Sequence, residues 1–414
     1  MTSISPQHFW IVVKPKAWPT PPSEMTVSTL AEIEACPRRW GLTWATYDSV
    51  WDGRGYPSRP HIAALAGVVL HHAIETIAKR LVEAGCSSVQ DPTSVTVMKD
   101  LGGYTQLLSR CIDQIFRRFG GNPRTEHMFD TVLRSLRAQI PALRTQTQAF
   151  LARLRLSDRH HTPMRPPGPK SRGPLSTGAY SEIEIRAARI RWKGRADLLL
   201  LSENTCEIID FKTGAEDLRT HDFQLRVYAL LWSRDSDLNP TGRRSTALTL
   251  AYRHRDVSVP PPSDDDLTAL EADLLARREA AERALTNTPP EARPSPEHCR
   301  FCSVRHLCDV YWQPETQQRL APGHPDADFV DLEVMVTGSH GPSSWDAVVV
   351  TSRVDPPGHL LLLRSARDDL GFSVGERVRI LNAHRASSDE SAPPITIITM
   401  GQVAEAFRVP SVHA

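Results

Sequence analysis

The sequence predicts an α/β domain, in which helices flank a mixed β-sheet, followed by a small C-terminal β-barrel. The first prediction comes from the order of patterns between residues 25 and 312, where helical periodicity alternates with short apolar strands. The second comes from five short strand-like runs separated by turns rich in Gly and Pro, which are typical of a barrel or sandwich. These runs are 329–337, 345–353, 359–364, 377–382 and 395–399.

Composition sets wide bounds on the protein. A chain of 414 residues can form one large and one smaller domain, and 40% hydrophobic with 23% charged residues is ordinary for a globular protein. The net charge of +1 leaves nucleic-acid binding open, because acidic surfaces can balance a basic groove. No apolar run has the length of a membrane span, so we expect no membrane partner and a cytoplasmic location.

The 33 prolines and the polar stretches mark the expected boundaries. We expect an N-terminal arm and linker, a main α/β domain with a helical and proline-rich insert, a polar linker, and an OB-like barrel. The corresponding ranges are 1–24, 25–312 with the insert at about 86–176, 313–328, and 329–414.

Two helices open the main domain. The first is predicted to begin with Ser28 as its N-cap and to close at Cys36, because the next residue is proline. The second covers 61–81 and places Gly67, His71 and Glu75 on one face, since they are spaced four apart. His71 would then face a neighbouring element, although a lone histidine is more often a residue at the edge of the core.

A predicted hairpin carries the strongest chemical signal. Two apolar strands are joined by the polar turn 202–205, with Asp197 before the first and Asp210 near the end of the second. Side chains alternate along a strand, so Asp210 and Lys212 share a face that Asp197 can meet from the paired strand. This arrangement suits a metal site with a base or charge stabiliser beside it. The plainer alternative is a surface hairpin with a salt bridge.

The elements around the hairpin add candidate residues. The following helix places Gln224 and Tyr228 on one face. The preceding strand, 180–186, carries Glu182 and Glu184. The insert is rich in arginine, which fits either a DNA-facing wall or a solvated surface.

Three cysteines form a C-x2-C-x5-C run at Cys299, Cys302 and Cys308, which is a metal or cluster ligand set that lacks one member. Cys36 follows its own helix far upstream. Four cysteines suit zinc and an iron-sulfur cluster equally on ligand count. The other three cysteines lie in apolar or strand contexts and are read as packing residues.

These motifs occur in one order, which resembles the PD-(D/E)XK nuclease superfamily. The resemblance is greatest to the RecB-type branch with an iron-sulfur staple, such as AddB-type nuclease domains and CRISPR-associated RecB-like exonucleases. It covers roughly residues 25–312 outside the insert. The motifs that carry it are Ser28-Thr29-Leu30 with Cys36-Pro37-Arg38-Arg39, Gly67-x3-His71, Gly194-x2-Asp197, Asp210-Phe211-Lys212-Thr213-Gly214, Gln224-x3-Tyr228 and the cysteine run.

The resemblance implies roles for these residues. It implies that Mg²⁺ or Mn²⁺ is held by His71, Asp197, Asp210 and the backbone carbonyl of Phe211, with Lys212 as a catalytic residue. Gln224 and Tyr228 would contact DNA or support the lysine, and either Glu182 or Glu184 would be the upstream acid. A [4Fe-4S] cluster would be bound by Cys36, Cys299, Cys302 and Cys308.

The function expected from this resemblance is a metal-dependent DNA nuclease acting on single-stranded DNA or DNA ends, in repair, recombination or phage defence. The alternative is a non-catalytic DNA-binding or scaffolding subunit. The sequence has no G-x4-G-K-[ST] phosphate loop, so any helicase would be a separate protein. The barrel would bind single-stranded DNA or a partner protein.

Overall fold

The computed structural model describes residues 10–48, 50–51, 55–59, 62–156, 172–321, 329–366, 370–388 and 395–410. The α-helices of this part of the chain are α1 (Val27–Ala35), α2 (Pro37–Trp44), α3 (Ile62–Glu83), α4 (Ser94–Asp100), α5 (Gly103–Arg118), α6 (Phe129–Ala138), α7 (Ile140–Leu151), α8 (Leu218–Arg234), α9 (Asp264–Thr286), α10 (Pro296–Cys299) and α11 (Pro314–Leu320). The strands are β1 (Gly178–Ala187), β2 (Trp192–Leu201), β3 (Cys206–Lys212), β4 (Ala247–Tyr252), β5 (Asp256–Val259), β6 (Phe329–Gly341), β7 (Ser344–Ser352), β8 (Leu360–Ser365), β9 (Arg377–Ser388), β10 (Ile395–Met400) and β11 (Glu405–Val409).

The first sheet is mixed, with the strand order β1-β2-β3-β4-β5. Strands β1, β2 and β3 pair antiparallel, and β3 pairs parallel with β4 through the crossover helix α8. A parallel pair needs such a crossover, whereas β2 and β3 need only the short turn at 202–205. The predicted hairpin and mixed sheet are therefore confirmed.

Helices cover both faces of this sheet, and the alternation of side chains sends each strand's residues to two separate cores. On one face, Phe211 of β3 packs edge-on against Phe150 of α7, in a core that also contains apolar residues of α3 to α6. On the other face, Ile208 of β3 packs in a core shared with α1, α8 and α9. The sheet is thus the middle layer of three.

The start of the first helix differs from the sequence prediction. The N-cap is Thr26, whose Oγ1 accepts a hydrogen bond from the backbone N–H of Thr29 at 3.1 Å, and Ser28 lies inside the helix. Pro37 begins α2 as well as ending α1. Proline suits the first turn of a helix, where its missing N–H would have no partner. Cys36 is therefore held at the corner between two helices.

The C-terminal strands form a closed barrel. Strands β6 to β10 make a ring in the order β10-β8-β7-β6-β9, which closes because β9 also pairs with β10. This confirms the predicted five-stranded barrel. All neighbouring strands of the ring pair antiparallel except β8 and β10, which pair parallel, as a Greek-key path requires. The sequence analysis missed β11, which pairs with β9 outside the ring.

Buried ion pairs join the barrel to the rest of the protein. Arg124, in the loop between α5 and α6, makes two hydrogen bonds to Glu405 of β11, of 2.8 and 2.6 Å, and both side chains are fully buried. Arg305 binds both oxygens of Asp331 in β6, at 2.5 and 3.1 Å. Burial alone would raise the pKa of Asp331, but Arg305 outweighs it and holds that pKa well below its usual range.

The N-terminal segment joins the same interface. Ile11 forms a parallel bridge with Arg408 of β11, and the ring of Trp10 packs against Phe407 with centroids 5.3 Å apart. None of the helices in the described parts of the chain is both long and apolar enough to cross a lipid bilayer.

Asp331→Asn should destabilise the protein by about 3–5 kcal/mol, because it leaves the buried guanidinium of Arg305 without a carboxylate. The measurement is the free energy of unfolding from urea titration. The matched control is Asp346→Asn in the same barrel, where an exposed pair with His340 is broken, and the expected change is below about 0.5 kcal/mol. Equal effects of the two variants would contradict a structural role for the buried pair.

Candidate metal centre and active site

Three carboxylates lie in one row across three neighbouring strands. In β2 and β3 the pairing of Leu198 with Ile209 puts Asp197 and Asp210 next to each other in register. In β1 and β2 the pairs on either side put Glu182 opposite Asp197. Glu182 itself has a φ of 56°, and this left-handed conformation interrupts the ladder at that point. Asp197 and Asp210 are buried, and Glu182 is half-buried.

Burial, together with repulsion between carboxylates that face each other in the sheet, raises the pKa of two members of the row. Burial, followed by the charges of Glu75 and Asp197, raises the pKa of Glu182 to about 7. Burial, followed by the charge of Asp197, raises the pKa of Asp210 to about 6. A cation placed among these groups would relieve the repulsion.

Helix α3 brings further ligand groups to the row. Nε2 of His71 lies 2.5 Å from Oε1 of Glu75 and 3.7 Å from Oδ1 of Asp197. Potential ligand atoms of these three residues all lie within 4.8 Å of one another, and no other group of His, Cys, Asp and Glu does so within the described ranges. Burial lowers the pKa of His71, but its hydrogen bonds to Asp197 and Glu75 outweigh burial and raise it to about 10.

The donor set fits a divalent cation. Imidazole nitrogen and carboxylate oxygen suit Mn²⁺, and carboxylate oxygen suits Mg²⁺. Oε1 of Glu182 is buried and has no hydrogen-bond partner among the described residues, and Oδ2 of Asp210 has Nζ of Lys212 at 2.5 Å. Buried oxygens of this kind are costly unless something binds them. The backbone N–H of Phe211 donates to Oδ2 of Asp197, which fixes that carboxylate.

Lys212 is held between the row and helix α8. Its Nζ donates to Oε1 of Gln224 at 2.8 Å, and Nε2 of Gln224 donates to the hydroxyl of Tyr228 at 2.6 Å. Tyr228 is buried, and its pKa is raised first by burial and then by the charge of Asp210. The ammonium group therefore has a fixed position beside Asp210.

All of these groups line one cavity of about 1280 Å³. Helices α3, α5 and α7 form one wall of it, through residues such as Val68, Ile115 and Gln146. The turn after β4 contributes Arg253 and His254. The cavity is large enough to admit nucleotide-sized groups.

The four cysteines of the predicted cluster form a second candidate site. Cys36, Cys299, Cys302 and Cys308 line one small cavity together with Arg38 and other residues, and all four cysteines are free. Burial raises the pKa of the Cys302 thiol to about 11 and that of Cys308 to about 12. The backbone N–H of Arg293 approaches Sγ of Cys36 at 3.4 Å. The structure thus brings the distant Cys36 to the C-terminal run.

Every residue predicted for the nuclease site lies at the cavity. The three residues whose ligand atoms lie closest together, however, are His71, Glu75 and Asp197. Asp210, which was predicted as a ligand, contacts Lys212 instead. The sequence had placed Glu75 on the face of His71 without giving it a role. Of the two candidate upstream acids, Glu182 reaches the cavity, whereas Glu184 pairs with Arg186 at 2.5 Å.

Gly194→Ala should destabilise the protein by about 1–3 kcal/mol, because its Cβ would lie 2.6 Å from Cε1 of the buried Tyr228. Urea unfolding measures the change. The matched control is Gly67→Ala in α3, where the nearest atom to the new Cβ is Oγ1 of Thr213 at 3.7 Å. That change should stabilise the helix by about 0.5–1 kcal/mol. The same loss in both variants would rule out the close approach of Tyr228 as the cause.

Of three comparisons with known proteins, one identifies the family of the chain. No protein of curated function matches the sequence. A solved structure titled "Crystal structure of SSO0001" is 23% identical over 32% of this chain and 60% of that chain, with a TM-score of 0.21, which is too low to carry an argument. The sequence model of the PD-(D/E)XK nuclease superfamily matches residues 24–309, which include the carboxylate row, Lys212 and all four cysteines of the second site. The chain belongs to the PD-(D/E)XK nuclease superfamily.

Proposed function

We propose that this protein is a metal-dependent deoxyribonuclease of the RecB-type branch, which hydrolyses phosphodiester bonds in single-stranded DNA or at DNA ends. The observation that carries the proposal is the row Glu182, Asp197 and Asp210, with His71 and Lys212 at its two sides. A row of two buried carboxylates and one half-buried carboxylate is costly for a purely structural sheet. It is useful where a cation must be bound beside a reacting phosphate.

Mg²⁺ or Mn²⁺ would be held by His71, Glu75, Asp197 and Asp210, with the Phe211 carbonyl as a further candidate. When bound, the cation would offset the charge of the scissile phosphate and make an attacking water molecule more acidic. The protein's own part is to hold the carboxylates in place. The Phe211 N–H fixes Asp197, and β3 presents Asp210 and Lys212 on the same face.

Lys212 would orient the attacking water or stabilise the negative charge that develops on the phosphate oxygens. Gln224 and Tyr228 act on Lys212, because they hold its ammonium group through a chain of two hydrogen bonds. This chain limits the motion of a long side chain that would otherwise sample many rotamers. Electrostatic stabilisation of this kind requires the ammonium group to have a fixed position relative to the phosphate.

The location of these groups supports an unpaired or terminal strand as substrate. The carboxylate row lies inside a cavity with a wall of helices, so a base pair in the middle of a duplex would have to open before its phosphate could reach the row. The proposed setting is cytoplasmic DNA repair, recombination or phage defence. A separate helicase or other DNA-processing protein would supply unwound strands, and the barrel would bind DNA or such a partner.

Lys212→Ala and Asp210→Ala should each lower the cleavage rate by about 10²–10³-fold or more, because the first removes positive charge beside the phosphate and the second removes a proposed ligand of the cation. The measurement is cleavage of end-labelled single- and double-stranded DNA with Mn²⁺ or Mg²⁺. The matched control is Lys193→Ala, which removes a lysine of β2 that pairs with Glu24 at 3.1 Å and is absent from the cavity lining.

Undiminished cleavage by the purified Lys212 and Asp210 variants would disprove the assignment of the active site. DNA binding without any cleavage by the wild-type protein would instead favour the non-catalytic scaffolding alternative.

For the second site, we propose a [4Fe-4S] cluster on Cys36, Cys299, Cys302 and Cys308. The convergence of four free cysteines supports it, because buried thiols with raised pKa values gain most from a cation that stabilises their thiolates. Zinc bound by thiolates at 2.3 Å would hold their sulfurs ~3.8 Å apart. The four sulfurs are spaced more widely than this, since no three of them lie within 4.8 Å of one another, and a cluster takes the wider spacing.

Protein purified without oxygen should be brown and contain iron, with zinc well below one equivalent by elemental analysis. Cys299→Ser should lower the iron content, because it removes one of four ligands. The matched control is Cys111→Ser, at a buried cysteine in the core of helices α3 to α7 that lies outside the four-cysteine cavity. Stoichiometric zinc without iron would overturn the cluster.

A further inference from the structure

Arg253 is a cation of the nuclease cavity to which the family motifs assign no role. It follows the last residue of β4, and the parallel register pairs that residue, Tyr252, with Lys212 of β3. At this end of the sheet, the charge of the side chains therefore changes from negative on β1 and β2 to positive beyond β4. The acids Glu182 and Asp197 lie on β1 and β2, Asp210 and Lys212 share β3, and Arg253 lies just beyond β4.

The guanidinium of Arg253 has spare hydrogen-bonding capacity. Its Nη2 donates to the carbonyl of Thr213 at 3.3 Å, whereas its buried Nε–H has no acceptor in the described part of the chain. Among the residues with described coordinates, no carboxylate lies within 4.0 Å of it. An arginine in this state has donors left for a ligand that brings oxygen atoms and negative charge.

The backbone that carries Arg253 is held firmly. Arg253 and His254 form the tight turn between β4 and β5, which is closed by the hydrogen bond from Tyr252 N–H to the Arg255 carbonyl at 2.9 Å. From the other side, the guanidinium of Arg153 donates to the carbonyls of Tyr252 and Arg253, the latter at 3.0 Å. A fixed backbone lowers the entropy cost of using this side chain in binding.

We infer that Arg253 binds a second phosphate of the DNA strand, next to the phosphate that is cleaved at the carboxylate row. This inference rests on the proposed nuclease function and adds a contact that sets where the strand lies. Neighbouring strands are about 4.8 Å apart, so the last residues of β3 and β4 can reach successive parts of one backbone. Arginine suits this role because its planar fork can donate two parallel hydrogen bonds to a phosphate.

The contact also explains why the turn carries two arginines with different environments. Arg255 points to the surface and pairs with Glu216, at 2.5 Å between Nη2 and Oε2. Its side chain is absent from the residues that line the cavity. Arg255 is therefore a matched control: the same residue type in the same turn, but with its own carboxylate.

The test measures binding of a labelled single-stranded oligonucleotide by fluorescence anisotropy at several NaCl concentrations. All variants are made in an Asp210→Asn background, so that hydrolysis does not change the ligand. Arg253→Ala should weaken binding about tenfold, and the slope of log Kd against log salt should fall by about 0.7, which corresponds to one lost phosphate contact. Arg255→Ala should change neither quantity.

Arg253→Lys guards against a folding defect in the alanine variant. It should keep most of the salt slope, because the charge remains, and lose several-fold in affinity, because the fork is gone. If Arg253→Ala folds and binds DNA with unchanged affinity and slope, Arg253 only anchors Thr213 and the inference is overturned. If the Asp210→Asn parent binds no DNA and the wild-type protein cuts none, the proposed nuclease function fails, and the inference about Arg253 fails with it.

Discussion

Repulsion among three carboxylates is the constraint around which the main domain is arranged. Glu182, Asp197 and Asp210 occupy one row of a sheet, and burial strengthens their mutual repulsion because water cannot screen it. The surrounding elements each supply positive charge: α3 brings His71, β3 brings Lys212, and β2 brings Arg195, whose Nη1 is 3.5 Å from Glu182. Without a cation in the row, these side chains are the compensation available to it.

This constraint also accounts for the layers of the fold. A ligand set drawn from a helix and three strands needs α3 close enough for His71 to reach Asp197. It also needs α8 on the face of β3 that carries Asp210 and Lys212, where Gln224 holds the lysine. Neither helix could be moved without losing one side of the site. Helices α4 to α7 then cover the apolar side of α3, and α5 and α7 complete the cavity wall. The arrangement of helices that buries the apolar faces of the sheet is therefore also the one that assembles the site.

Local patterns were sufficient for much of this arrangement. Strand alternation placed Asp210 and Lys212 on one face, and helical spacing placed Gln224 with Tyr228 and His71 with Glu75. The choice between Glu182 and Glu184 was different. Both residues are on the same face of β1, so alternation cannot separate them. Only the register against β2 does so, since Glu182 lies opposite Asp197 and Glu184 opposite Arg195.

Other features also depended on contacts that are distant in sequence. The short strand β11 has few residues to show a pattern, and its stability comes from β9 and from residues 10–12 of the N-terminal segment. Nothing near Arg124 in the sequence shows that its carboxylate partner lies at position 405. The sequence prediction misplaced the start of α1 because the local pattern offers two suitable caps. Thr26 and Ser28 are both good caps, and the choice was decided by where the chain leaves its pairing with Trp192.

The pair of Arg124 and Glu405 has a consequence for the order of events during synthesis. The ribosome delivers the chain from its N-terminus, so the whole of the main domain emerges before residue 405 does. Until then Arg124 has none of the bonds from Glu405 that compensate its burial in the finished protein. The loop before α6 is thus expected to stay open to water, and to close only when the last strand of the barrel arrives. Release of the chain just before residue 405 would therefore leave a defect at Arg124, 281 residues upstream of the missing Glu405, in a segment whose local structure is complete.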